Sequence, residues 1–556
     1  MKCWGNGNEA ATGMERADDV GDELFEMGDF LPPINLGSPE PEVTSLACGG
    51  TCECALLSNS TVRCWGQKGA NGGTGQYEFE ASSGNALGTM GVMLPPTQLP
   101  SGRLATSISC GSEHCCVVLE DDDAFCWGKN DQGQVGNGRD VLDVCKVWND
   151  GTCGANLVPV NLGYGRYVLD IALGDDWSCA VLDNEVVHCW GKNDDNYLGV
   201  DSDKFGTKIG DSLLEPGGLV EPNTFQGGKA VKFFAIALSR CVILHIADVV
   251  CWGNSTDSQL GISTEGTLFD LWERTVYPTV DLGGRKAFAL AVGSGYDNAH
   301  QCTMLSAADC DECEDEIKCW GDNGSGQLGY GDTRNRGTTR GDFVNDVVDL
   351  GSPGVHPAFE LGGYDRAPEP TPPAAISALS LGNQHTCAIL TMGRVPCWGH
   401  KNKGQLNGFD TTPIGGGISE AVYKLKLKHF GYDASKRPEM ERFFAKKIFG
   451  LIERSCAILE DDSLSCWGIS DKGVDGHDQA NVTTARVPLL DSMDAPARVV
   501  DVCGGEHHLC MATSEGAMWC WGEDSDSYGF LGLRTNTGVE TVPTKIDLGT
   551  DEQARR

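Results

Sequence analysis

HTCAILTMGRVPCWGHKNKGQL, running from His385 to Leu406, contains the reading that decides the fold. Two cysteines, Cys387 and Cys397, stand ten positions apart. Between them lie an apolar run, a polar turn and a second short run, the pattern of a tight antiparallel hairpin. RSCAILEDDSLSCWG from Arg454 and ECALLSNSTVRCWG from Glu53 repeat it.

The closing triplet Cys-Trp-Gly occurs nine times, starting at Cys3, Cys64, Cys126, Cys189, Cys251, Cys319, Cys397, Cys466 and Cys520, with successive starts 61, 62, 63, 62, 68, 78, 69 and 54 residues apart. A near-fixed period of this kind marks a repeat architecture. Eight triplets have a cysteine upstream that completes a hairpin; Cys3 has none, so the chain is expected to begin inside a repeat.

Strand alternation predicts which residues meet. If Cys54 faces Cys64, Leu56 faces Val62 and the turn centres on Asn59, so both pairs share one face of the ribbon. The same folding-back pairs Cys116 with Cys126, Cys179 with Cys189, Cys241 with Cys251, Cys387 with Cys397, Cys456 with Cys466, and Cys510 with Cys520. Cys302 and Cys319 enclose a longer tip, inside which Cys310 and Cys313 form a second rung. Cys145 and Cys153 clip an inserted loop. Each bridge over so short a loop is worth roughly 2 to 3 kcal/mol in the chain-entropy picture. Cys503 is one candidate partner for Cys3; Cys48, Cys52, Cys110 and Cys115 are left without an assigned partner.

Composition bounds the function. The 556 residues include 74 glycines and 26 cysteines, and 79 acidic against 42 basic side chains give a formal net charge of −37. Glycine-rich units with short strands point to an all-β array. The charge opposes nucleic-acid binding, which needs a basic stripe. No apolar run is long enough to span a membrane as a helix. Paired cysteines at this density point to an oxidising space, extracellular or an organelle lumen, although Met1 is followed directly by Lys-Cys-Trp-Gly without an apolar leader. Sequons stand at Asn59, Asn254, Asn323 and Asn481.

Insertions are expected at about 67–100, 140–156, 206–228, 353–373 and 429–441, of which 67–100 reads as an exposed loop. YKLKLKHFGYDASKRPEMERFFAKKIFGLIER, from Tyr423 to Arg454, is basic within an acidic chain, and a short helix is expected over part of it. Its Lys424, Lys426, Lys428, Lys446 and Lys447 are candidate contacts for an acidic protein partner, against an ordinary solvent face of a strand.

Residues that could carry chemistry are few. His114 and His508 occupy the position of His385 in the repeat and read as strand-end residues. Cys310 and Cys313 have CxxC spacing with no second ligand pair. No nucleophile elbow or phosphate loop appears. No catalytic residue, cofactor or metal site is expected, and the chain reads as a non-enzyme.

GNQHTCAILTMGRVPCWGHKNKGQL from Gly382 and IKCWGDNGSGQLGYGD from Ile317 resemble the repeats of the regulator of chromosome condensation superfamily, and the cysteine-bearing form resembles its secreted branch, which includes beta-lactamase-inhibitor protein II. The resemblance implies a single closed β-propeller of four-stranded blades over residues 1–556, usually seven, against eight hairpins counted here. It further implies a non-catalytic protein-interaction or scaffold role with a protein partner. An intracellular nucleotide-exchange-like propeller and a carbohydrate-binding surface protein are the alternatives.

Overall fold

The structure, a computed structural model, describes residues 1–4, 12–20, 26–37, 42–50, 52–66, 86–100, 103–138, 158–163, 165–184, 186–194, 198–199, 206–210, 230–235, 239–253, 258, 260–261, 279–293, 300–306, 315–337, 346–348, 350, 376–390, 395–400, 406, 445–451, 454–468, 485–486, 498–504, 508–523, 531 and 539–548. Cys145, Cys153, Cys310, Cys313, Lys424, Lys426 and Lys428 lie outside the described residues, as do the insertions 140–156, 353–373 and 429–441.

Among the described residues the period of the triplet becomes a series of eight antiparallel sheets, called units one to eight in chain order. Unit one has strands Val43–Cys48, Cys52–Leu57 and Val62–Gly66, each paired with the next. Its hairpin places Cys54 opposite Cys64 and Leu56 opposite Val62. Units two to eight repeat the plan, with middle strands His114–Leu119, Trp177–Leu182, Ser239–Leu244, His300–Ser306, His385–Leu390, Arg454–Leu459 and His508–Thr513. A fourth strand joins units three, seven and eight as Lys208–Ile209, Ala485–Arg486 and Val539–Lys545. In other units the fourth position is held by one backbone bond to the third strand: Thr97 to Val62, Val160 to Ala124, Val280 to Val249 and Val348 to Ile317.

Every first strand carries a bulge near its start, as between Val43 and Ser45, Ala287 and Ala289, or Ile376 and Ala378. The bulge leaves an opposing carbonyl short of a donor. In three units a hydroxyl supplies it: Thr44 to Leu56, Thr106 to Val118 and Ser377 to Ile389, at 3.0 to 3.1 Å.

Successive units are joined through their hairpin tips. Ser60, Asp122, Ala247 and Asp462 sit at the tips with φ between 61° and 65°. Their carbonyls accept from Ala105, Val168, Ala287 and Val499, the opening residues of the next unit's first strand, at 2.7 to 3.1 Å. A left-handed residue costs a β-carbon about 1 to 2 kcal/mol, so the turn geometry is maintained by what it bonds.

The amino-terminal residues bridge the two ends of the series. Ile34 donates to the Met1 carbonyl, the bond that fourth positions make elsewhere, and Lys2 Nζ donates to Leu548 O at 2.7 Å. Met14 packs into two apolar clusters, one with Trp65 and Leu57 of unit one and one with Cys520 and Ile546 of unit eight.

Two sequence expectations are corrected. The stretch 67–100 is not wholly an exposed loop: of its described part, Met90 and Leu94 are buried against Trp65, and Arg63 donates to the Gly91 carbonyl at 2.7 Å. The carboxyl end of the basic stretch is a strand, Ala445–Gly450, rather than helix, because it is the first strand of unit seven and pairs with Arg454–Leu459. Of the 206–228 insertion, Lys208 and Ile209 add an edge strand to unit three.

Candidate functional site

The geometry that recurs along the chain is the junction between neighbouring units, and two residues of each middle strand build it. One faces the glycine of Cys-Trp-Gly, as His114 faces Gly128; the next faces its tryptophan, as Ser178 faces Trp190. The first reaches forward to the second of the following unit. His114 Nε2 lies 2.9 Å from Ser178 Oγ, His300 Nε2 lies 2.9 Å from Thr386 Oγ1, and His385 Nε2 lies 2.8 Å from Ser455 Oγ.

The hydroxyl in turn donates to the tail of the preceding unit: Ser178 to Gln134 O at 2.9 Å and Thr386 to Gln327 O at 3.0 Å. A hydroxyl has one hydrogen, so the histidine must be the donor, which fixes the Nε2-protonated tautomer. The same carbonyls receive the indole N–H groups of Trp190 and Trp398, each at 2.9 Å.

The tail that supplies the carbonyl is the Asn-x-x-Gly-Gln-Leu-Gly segment. Asn130 and Asn323 cap it by accepting from the backbone N–H of Val135 and Leu328, at 3.0 Å each. Its last glycines, Gly136 and Gly329, have φ of 68° and 80° and press on the indoles of the next unit. The eight triplet tryptophans from Trp65 to Trp521 are buried, each within the packed body.

Other junctions use different chemistry at the same two positions. Between units three and four Trp177 and Arg240 meet as a cation over a ring, 4.4 Å to the centroid. Between units one and two Cys52 and Cys115 meet, with sulfurs 3.3 Å apart.

Electrostatics keep this row out of acid–base chemistry at neutral pH. Burial, helped by the nearby Lys129 charge, lowers the His114 pKa to about 3; burial lowers that of His385 to about 4 and that of His188 to about 4. His114 and His385, neutral and with no exposure, act here as struts; His188 is on a third strand, opposite Ala180, outside the junction row. His508, at the equivalent position of unit eight, is half-buried.

Nine disulfides are present among the described residues. Eight cross the hairpins: Cys54–Cys64, Cys116–Cys126, Cys179–Cys189, Cys241–Cys251, Cys302–Cys319, Cys387–Cys397, Cys456–Cys466 and Cys510–Cys520. The ninth, Cys110–Cys115, links the first and middle strands of unit two. Cys3 and Cys503 are free, so the structure does not join them; Cys48 and Cys52 are free as well. The sulfurs of Cys52, Cys110 and Cys115 lie within 4.8 Å of one another, the spacing of a three-thiolate metal site, but with the Cys110–Cys115 bond closed only Cys52 keeps a thiol to ligate with.

Lys446 and Lys447 are exposed on the first strand of unit seven. Lys446 pairs with Asp462 at its own hairpin tip; Lys447 donates to Val500 O at 3.0 Å and lies 3.8 Å from Asp501, both in unit eight. Exposed pairs of this kind contribute little stability and are screened by salt. Of the sequons, Asn323 is fully buried with its amide donating to Asp332 O and Arg334 O, which closes it to a glycan, whereas Asn59 lies on an exposed tip. Reading each cysteine hairpin by itself missed the Ser/Thr and Gln partners of the histidines; aligning the residue before each cysteine with the histidine of the unit before it would have found them.

A chain of hairpin units, five of whose junctions are made through the same two positions among the described residues, is an all-β repeat protein. Repeat models of the regulator of chromosome condensation (RCC1) family match residues 105–134 and 376–405 in one form and 121–181 in another. The human E3 ubiquitin-protein ligase HERC2 is 26% identical over 272 residues, which is 48% of this chain and 5% of the ligase. The Arabidopsis thaliana ultraviolet-B receptor UVR8 is 23% identical over 383 residues, 68% of this chain and 70% of the receptor. The chain thus spans about one twentieth of the ligase's length and somewhat over two thirds of the receptor's. Among solved structures, yeast RCC1 (Prp20) bound to Kap60 aligns at a TM-score of 0.41 and 18% identity, over 72% of this chain and 78% of that one. Among the described residues no helix is long and apolar enough to cross a membrane.

Proposed function

We propose that this chain is a non-catalytic interaction or scaffold propeller that meets a protein partner through the segments inserted between its units. The observation that carries the reading is the fate of the repeated polar side chains. The histidines at the junctions are buried, neutral and committed to the neighbouring unit, so the repeat supplies architecture and leaves recognition to the variable segments. One of these, residues 86–94, holds Met90 and Leu94 in the core while Leu87, Val92 and Met93 face solvent at 91%, 77% and 54%.

In this reading the bridge made by residues 1–4, 12–20 and 26–36 between units eight and one closes the series into a ring, with Cys3 packed on the unit-one side and Trp4 on the unit-eight side. The disulfides support an oxidising compartment, as in the secreted branch that the cysteine pattern resembles. The test is cross-linking of the purified, disulfide-intact chain in extract from its native source, followed by the same capture with Leu87→Ser/Val92→Ser/Met93→Ser. A partner held by the parent and lost from the triple variant supports the reading. A chain that is recovered alone, or that stimulates nucleotide release from small GTPases at catalytic ratios, overturns it.

A further inference from the structure

At the junctions around units two and three, five and six, and six and seven, a histidine of one unit meets a hydroxyl of the next. Between units one and two both positions are cysteine. Cys52 faces Gly66 as His114 faces Gly128, and Cys115 faces Trp127 as Ser178 faces Trp190. The hydrogen bond of the other junctions is replaced by two sulfurs 3.3 Å apart, both fully buried.

Cys115 is already bonded to Cys110, its neighbour across the first and middle strands. Three sulfurs therefore share one bond, with Cys115 in the middle. We propose that Cys52, Cys110 and Cys115 form an exchangeable latch, in which the bond within unit two can pass to Cys52 and join units one and two covalently.

The step is thiol–disulfide exchange. Cys52, as thiolate, attacks Cys115 Sγ; the Cys52–Cys115 bond forms as the Cys110–Cys115 bond breaks. Cys110 leaves as thiolate and takes up the proton that Cys52 gave up. The trio holds one thiol and one disulfide before and after, so no oxidant is needed. The distance suits it, and the product spans a junction of the kind that the fold builds by hydrogen bonding at three other places. Cys110 is less buried than either of the others, so the exchange moves a thiol from a sealed position to one nearer solvent. Burial holds the Cys52 thiol up at about 12, which makes the transfer slow at neutral pH and faster in base. The inference is independent of the partner reading above.

The experiment maps the intact protein. It is held at pH 8 with N-ethylmaleimide, quenched in acid and digested without reduction by a Glu-specific protease, which cuts after Glu42, Glu53, Glu113 and Glu120 and so separates Cys52, Cys110 and Cys115 onto three peptides. Exchange yields a linkage between peptides 43–53 and 114–120 together with alkylated Cys110, absent from Cys52→Ser. Cys110→Ser then shows one free thiol fewer than the parent, because Cys52 is consumed by Cys115. The proposal fails if the parent shows no such linkage, or if Cys110→Ser shows one thiol more, with Cys52 and Cys115 both open. Should Cys110→Ser not fold, the map of the parent decides alone.

Discussion

His114 Nε2 and Ser178 Oγ are 2.9 Å apart although 64 positions separate them in sequence. The contact joins two units with no solvent near it, since both side chains are fully buried. Removing one partner strands the other. Ser178→Ala leaves the imidazole N–H and the Gln134 carbonyl without that hydroxyl, at a cost of about 1 to 3 kcal/mol. Urea unfolding monitored by tryptophan fluorescence should show a lower midpoint; an unchanged midpoint would mean the junction is held without this bond.

The same burial gives a dependence on acid. His114 and His385 have folded-state pKa values of about 3 and about 4, below the ordinary 6.5 that they regain on unfolding. Below 6.5 the unfolded chain therefore binds more protons than the folded one, so stability falls as pH drops from 6.5 towards 4 and is fully present above it. Each histidine contributes a slope of up to about 1.4 kcal/mol per pH unit in that window. His385→Gln, which keeps an N–H donor and cannot titrate there, should flatten the profile of unfolding free energy between pH 6.5 and 4; a profile parallel to that of the parent would assign the acid sensitivity elsewhere.

Much of the architecture is legible in the sequence because it is local. Ten-residue spacing between cysteines sets the register of seven of the eight hairpins, and Leu56 opposite Val62 follows from a period of two. The junctions were not legible because they are relations between residues about a period apart. Ser178 reads as an unremarked residue before a cysteine until His114 is laid beside it. The packing of Met90 and Leu94 was hidden by the glycines around them, which read as loop. The free state of Cys3 and Cys503 was equally out of reach: Cys503 stands across from Cys510, already bonded to Cys520, and Cys3 packs beside unit one.

Trp177 and Arg240 occupy the positions of histidine and serine, so the two chemistries should be interchangeable only as pairs. Trp177→His alone sets an imidazole against a guanidinium, and Arg240→Ser alone removes the cation from the ring. The double variant rebuilds the arrangement of His114 and Ser178. A double-mutant cycle on unfolding free energies should return a favourable coupling of about 0.5 to 2 kcal/mol. Additive losses would show that the two side chains do not act as a pair.

Gly136 and Gly88 both have positive φ, at 68° and 82°, but only one is crowded. A β-carbon on Gly136 would stand 2.6 Å from Trp190 Nε1, whereas one on Gly88 meets nothing within 4 Å. Gly88→Ala thus carries only the left-handed backbone cost of about 1 kcal/mol. Gly136→Ala adds the displacement of an indole whose N–H is bonded to Gln134 O, and opening that buried bond costs about 1 to 3 kcal/mol more. Paired thermal melts should place Gly136→Ala clearly below Gly88→Ala. Equal melting would mean that the indole can move aside freely, and that the glycine is needed for its backbone angle rather than for its contact with the next unit.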